Sequence, residues 1–164
     1  MEINEERRNI PEYPLEQGVR AVEEKIKEKL SQLGRPVIVE IAGGSASGKT
    51  SAVAAKLKER FGEEALILSI DDYYRGRTFM ETEARKGIDL NWDQPEALNL
   101  ELLRNHLIRI KNREAIEKPV YSFKTNEVAG SEEVAPRNVM LVEGLFALND
   151  AVKREGDVKV FVDI

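Results

Sequence analysis

The stretch Gly43-Gly44-Ser45-Ala46-Ser47-Gly48-Lys49-Thr50, GGSASGKT, decides how the rest of this chain is read. It fits the pattern G-x-x-x-x-G-K-[ST], whose glycines let backbone N–H groups turn inward onto phosphate oxygens. The lysine can reach the outer phosphates of a nucleotide, and the hydroxyl that follows can ligate Mg²⁺. The cofactor-binding set is Gly43, Gly44, Ser45, Ala46, Ser47, Gly48, Lys49, Thr50 and Ser51, with Ser45 and Ser47 giving backbone contacts only. A glycine-rich turn without a ligand would show similar letters, so the flanks must decide.

Upstream, Val37 to Ala42 is short, apolar and β-branched, which predicts a buried strand. Downstream, Val53, Ala54, Leu57 and Phe61 fall on one helical face, and Gly62 can end that helix. Then ALILSI, residues 65–70, reads as a second apolar strand. Strand, loop, helix and strand in that order form the setting in which the motif holds phosphate, on the positive N-terminal end of the helix. Further out, Val19, Val22, Ile26, Leu30 and Leu33 recur at helical steps, predicting a helix over 15–33 that stops at Gly34. Residues 1–14 read as an arm. More strands are expected at 138–143 and 157–163. A small hairpin lobe is expected over 115–136, and a polar, helix-prone flap over 76–91. The division expected is 1–34, arm and helix, then 35–164 as one domain.

Composition narrows the rest. The chain has 164 residues, 41% apolar and 34% charged, which is globular and long enough for a core. A net charge of -5 argues against a broad nucleic-acid surface. No apolar run approaches a membrane span, and the charged N-terminus is no secretory signal. There is no cysteine, hence no disulfide framework and no thiolate metal site. A cytoplasmic protein is expected, with a possible homo-oligomer interface on the first helix.

Two further stretches carry acids at strand tips. SIDDYYRG, residues 69–76, places Asp71 and Asp72 at the end of the second strand, which in an open α/β sheet faces the ligand crevice. A carboxylate there can take the proton of an attacking hydroxyl, although Asp-Asp also suits a turn or helix cap. VMLVEG, residues 139–144, ends a strand in Glu143, which suits an anchor for Mg²⁺ beside Thr50.

Taken together, GGSASGKT, SIDDYYR, NWDQPEALN, PVYSF and VMLVEGLFALN resemble the uridine kinase/phosphoribulokinase group of P-loop kinases, from about Val37 to Ile164. The resemblance implies a P-loop-type three-layer α/β sandwich with a mainly parallel sheet. It implies an ATP-dependent, Mg²⁺-requiring phosphotransferase acting on a hydroxyl of a nucleoside or related small alcohol. Asp71 then matches the general base near Mg²⁺, Lys49 the phosphate-loop lysine and Glu143 the Mg²⁺-associated acid. Tyr73 and Tyr74 match an aromatic pair lining the acceptor site, with Asp72 secondary. Trp92 and Asp93 match a pair holding the nucleoside, the acid on the ribose hydroxyls. Tyr121 and Phe123 match aromatic positions near the base.

Each acceptor residue also has a plainer reading. Trp92 suits a core, Asp93 an N-cap for a helix beginning near Pro95, and Tyr121 with Phe123 one face of a strand. His106 is expected on a helix surface or boundary, not as a catalyst. The sequence departs from the family at Asn126, where relatives commonly carry a histidine, and at Ile70, often glutamine. The family continues past a strand like VKVFVDI into an arginine-rich lid, whereas this sequence stops at Ile164; Arg75, Arg77 and Arg85 are candidate substitutes. Two other classes stay open. An NTP-dependent switch or hydrolase is disfavoured because neither Asn-Lys-x-Asp nor Asp-x-x-Gly follows the loop. A nucleotide-binding module without transfer is the other.

Overall fold

The computed structural model describes residues 15–43 and 49–162. The arm at 1–14, the loop residues 44–48 and residues 163–164 lie outside them. For Lys49 only the backbone is described. Four parallel strands, β1 (Val37–Gly43), β2 (Ala65–Ser69), β5 (Val139–Glu143) and β6 (Val158–Val162), form a sheet in the order β2-β5-β1-β6. Helices α1 (Leu15–Leu33), α2 (Lys49–Phe61), α3 (Arg77–Arg85) and α4 (Leu100–Lys111) complete the main elements with the antiparallel hairpin of β3 (Ile116–Ser122) and β4 (Glu127–Val134).

Strand alternation builds the three layers. Val37, Val39 and Ile41 of β1 face Val19 and Ile26 of α1 and Val53, Ala54 and Leu57 of α2. Ile38 and Ala42 face the opposite core, with Leu103, Leu107 and Ile110 of α4. β5 carries no polar residue before Glu143 because both its faces are covered. The first helix thus shares the core of the sheet rather than standing apart from it.

One residue breaks the pattern. Glu40 on β1 points toward the α4 side, is fully buried, and neither carboxylate oxygen has a hydrogen-bond partner among the described residues. A Cβ on Gly156 would collide with its carboxyl, so a glycine there is what gives the acid room. Burial pushes the Glu40 pKa up to about 8, against a smaller opposing pull from Lys159 and Lys111.

The expected helix near Pro95 is a single 3-10 turn, Pro95–Ala97. The α-helix begins at Leu100, where the Asn99 side chain accepts from the Leu102 N–H, so Asp93 is not its cap. The flap region does form a helix, α3. Its Gly76 N-cap has no capping side chain, and the hairpin supplies the acceptors instead. Glu127 accepts from the Thr78 N–H at 2.6 Å and its hydroxyl at 2.7 Å, and the Asn126 carbonyl accepts from the Arg77 N–H at 2.7 Å. Asn126 itself sits at φ 56, the tight turn of the hairpin.

Candidate active site

The parallel sheet brings its strand tips to one edge, and three of them carry the chemistry. β1 ends at Gly43, where a Cβ would lie 2.7 Å from the Val162 carbonyl and 3.1 Å from Thr50 Cγ2. Only a glycine lets β1 pass beneath the first turn of α2 so closely. That turn presents Thr50 and Ser51 to the tip of β5. The buried Thr50 hydroxyl donates to Glu143 Oε2 at 3.0 Å, and the Ser51 hydroxyl to the same oxygen at 3.3 Å. Glu143 is 8% exposed.

At the tip of β2, residues Ile70–Tyr73 form a 3-10 turn in which the Asp71 N–H donates to the Ser69 hydroxyl oxygen. Burial raises the Asp71 pKa, and the charges of Glu143 and then Asp72 add to the rise. The carboxyl is therefore near Glu143 and partly desolvated, although the residue as a whole is exposed. It makes no side-chain hydrogen bond with any described residue.

Its neighbours are all committed. Ile70 is buried against Gly144, whose Cβ position lies 3.0 Å from Ile70 Cβ. Asp72 accepts from Lys118 Nζ at 2.6 Å, with the Tyr121 N–H near its other oxygen at 3.5 Å. Tyr73 departs from expectation: it is 1% exposed, turned into the core rather than toward an acceptor. His106, expected on a helix surface or boundary, is buried on α4, with Nδ1 2.8 Å from the Tyr73 hydroxyl. Burial raises the phenol's pKa and lowers the imidazole's, so both are uncharged at neutral pH and share this one hydrogen bond. Tyr73→Phe is expected to cost about 1–3 kcal/mol, because it leaves the buried His106 ring nitrogen without its partner. Urea unfolding at neutral pH measures this, and an unchanged midpoint would dissolve the pairing.

Tyr74 turns the other way and gathers the remaining aromatic residues. Its ring centroid lies 5.8 Å from Trp92, 5.4 Å from Tyr121 and 6.4 Å from Phe123, and its hydroxyl donates to the Trp92 carbonyl at 3.1 Å. Phe123 is 64% exposed and Trp92 36%, so this is an open wall and not a core. Burial raises the Tyr74 pKa, and the charges of Asp71 and Asp93 raise it further, which puts both acids beside the wall. Of the expected acceptor residues, Tyr74, Trp92, Asp93, Tyr121 and Phe123 are brought together; Asp72 and Tyr73 brace the turn instead.

Thr50, Glu143 and Asp71 offer hard oxygen donors, the chemistry Mg²⁺ prefers. Among the described residues, no three Asp, Glu, His or Cys side chains cluster tightly enough to hold a metal by themselves. That fits an ion completing its shell with phosphate and water. Of the candidate arginines, Arg75 lies 5.0 Å over the Phe79 ring and Arg77 pairs with Glu81 at 3.8 Å. Arg85 is exposed at the far end of α3. Lys118 was not singled out in the sequence. Its signal is its spacing: it shares a strand face with buried Ile116, an inward position for a lysine.

Residues 38–164 match a family model described as the phosphoribulokinase/uridine kinase family. A uridine kinase from Bacillus pumilus (strain SAFR-032) is 42% identical over 134 residues, covering 79% of this chain and 61% of that protein. A uridine kinase from Ligilactobacillus salivarius (strain UCC118) is 38% identical over 134 residues, with the same shares covered, 79% and 61%. The chain thus spans about three fifths of the length of these relatives, 61%. Among solved structures, a possible uridine kinase from Bacillus stearothermophilus superposes with a TM-score of 0.62 at 16% identity, over 88% of this chain and 82% of that one. At that identity the likeness speaks for the fold alone. No helix of the described residues is long and apolar enough to cross a membrane.

Proposed function

Because this chain belongs to the phosphoribulokinase/uridine kinase family, we propose that it transfers the terminal phosphoryl group of ATP to a hydroxyl of a nucleoside or a related small alcohol. The observation that carries the reading is the meeting of three strand tips. Thr50 and Ser51 hydrogen-bond Glu143, and Asp71 lies within electrostatic reach of that acid.

In this reading GGSASGKT holds the triphosphate and Lys49 reaches its outer phosphates. Thr50, Glu143 and Asp71 would hold Mg²⁺, which supplies neutralisation of phosphate charge when bound. Asp71 takes the proton of the acceptor hydroxyl as its oxygen bonds to phosphorus and the bond to ADP breaks. A carboxylate whose pKa is raised by burial is a stronger base than an ordinary aspartate. The wall of Tyr74, Trp92, Tyr121 and Phe123 would offer aromatic faces to a planar ring, and Asp93, whose charge acts on Tyr74, would take sugar hydroxyls. The protein works on a small molecule in the cytoplasm, without nucleic acid or membrane.

The test is ADP release from MgATP across uridine, cytidine, other nucleosides, pantothenate, glycerate and ribulose 5-phosphate. Turnover is expected with a nucleoside and little without an acceptor. Equal hydrolysis with and without every acceptor would make the protein a hydrolase or switch; bound ATP with no turnover would make it a binding module.

A further inference from the structure

Every residue of the 3-10 turn at Ile70–Tyr73 except Asp71 is locked to another element. Ile70 packs beneath Gly144, Tyr73 bonds His106 of α4, and the Tyr73 carbonyl accepts from the Asn99 N–H at 2.8 Å. The remaining lock is a partly buried ion pair that reaches the hairpin. Lys118 Nζ lies 2.6 Å from Asp72 Oδ2, 3.2 Å from Glu132 Oε1 and 3.3 Å from the Pro119 carbonyl. Lys118 is 8% exposed, so its ammonium is held largely out of water and compensated by these acceptors. The Asp72 carboxylate also faces the N–H of Tyr121, a wall residue.

We propose that Lys118 is a positioning residue: by clamping Asp72 it fixes the turn that presents Asp71 against the strand that presents Tyr121. The clamp joins base and acceptor wall with the shortest of the polar contacts between them, 2.6 Å against 3.5 Å for the Tyr121 N–H on Asp72. Displacement of a base by about an ångström is enough to cost a large part of its rate. The proposal rests on Asp71 being the base, and its test includes a measurement that does not depend on turnover.

Four variants of the full chain decide it: Lys118→Met, Lys118→Arg, the pair Lys118→Met with Asp72→Asn, and Glu132→Gln. The first measurement is amide hydrogen exchange of residues 71–74 and 121 against the strands β1 and β5. Lys118→Met is expected to speed exchange in the turn and at Tyr121 at least about tenfold, with β1 and β5 unchanged. Lys118→Arg, which keeps charge and donors, restores most of the protection. The double variant is no worse than the single one, because both remove the same contact. Glu132→Gln leaves the turn as it is, since Glu132 is mostly solvated. The second measurement is steady-state transfer. Lys118→Met lowers kcat about ten- to a hundredfold with KM for MgATP unchanged.

Unaltered exchange in the turn with Lys118→Met overturns the proposal, as does loss of protection across the whole sheet that arginine fails to restore. Altered exchange with an unaltered kcat overturns it too, since the clamp would then hold structure alone. A parent chain that transfers to no acceptor counts against the proposed function, while the exchange measurement still stands for or against the clamp.

Discussion

Asp71→Asn is expected to leave MgATP binding nearly intact and to slow phosphoryl transfer about 100- to 10,000-fold. The substitution keeps the size of the side chain and removes its ability to accept a proton. Adjacent acids make the choice of residue a real one, and the surroundings separate them. Asp72 is engaged by Lys118 at 2.6 Å, so its negative charge is spent on a neighbour. Asp71 has no such partner among the described residues, and its pKa is raised by burial, then by Glu143 and Asp72. A carboxyl that is poorly compensated, raised in pKa and near the phosphate edge is the better base. The measurement is kcat with the best acceptor beside a calorimetric titration of nucleotide. Normal turnover in the variant would move the base elsewhere; a lost nucleotide site would mean Asp71 serves the metal before the proton.

The second large effect lies away from the site. Glu40→Gln is expected to stabilise the protein in alkaline solution and to change little near pH 5. The folded-state pKa is raised from 4.5 to about 8 by burial. A raised acid is protonated in the fold while already ionised in the unfolded chain above pH 4.5, so stability falls as pH climbs from about 4.5 to 8 and levels off beyond. At about 1.36 kcal/mol per pKa unit, the loss from this one group approaches about 5 kcal/mol. Glutamine has nearly the same shape and no proton to lose, so its stability curve lacks that fall. Urea unfolding of both proteins at pH 5, 7 and 9 gives the comparison. Parallel curves would mean that Glu40 finds water or a cation in solution.

The scaffold was largely legible because its signals are local. The helix expected over 15–33 is found as Leu15–Leu33, and the four apolar strands and the hairpin fall within a residue or two of expectation. Each rests on a run of β-branched residues or a helical repeat that needs no knowledge of the partner. The divided roles inside DDYY were not legible. Which acid stays unpaired depends on Lys118, 46 residues along the chain, and which tyrosine enters the core depends on His106, 33 residues along. Adjacent side chains in such a turn cannot share one surface, so Tyr73 and Tyr74 had to part, but the letters do not say which way. Glu40 escaped notice for a related reason. One acid inside VIVEIA looks like a small blemish in an apolar run, and only the closeness of Gly156 reveals that it is sealed in. Asp93 as a cap failed because Asn99, six positions later, holds that post.

The dependence of α3 on Glu127 and Asn126 bears on how acceptor preference could be redesigned. A chimera that imports only the two hairpin strands from a relative would leave the Arg77 and Thr78 N–H groups facing a foreign turn. One that imports only α3 would leave Glu127 aimed at a Gly76 of altered path. The graft that keeps every such junction inside itself runs from residue 70 to residue 134, carrying base, wall and flap as one cassette.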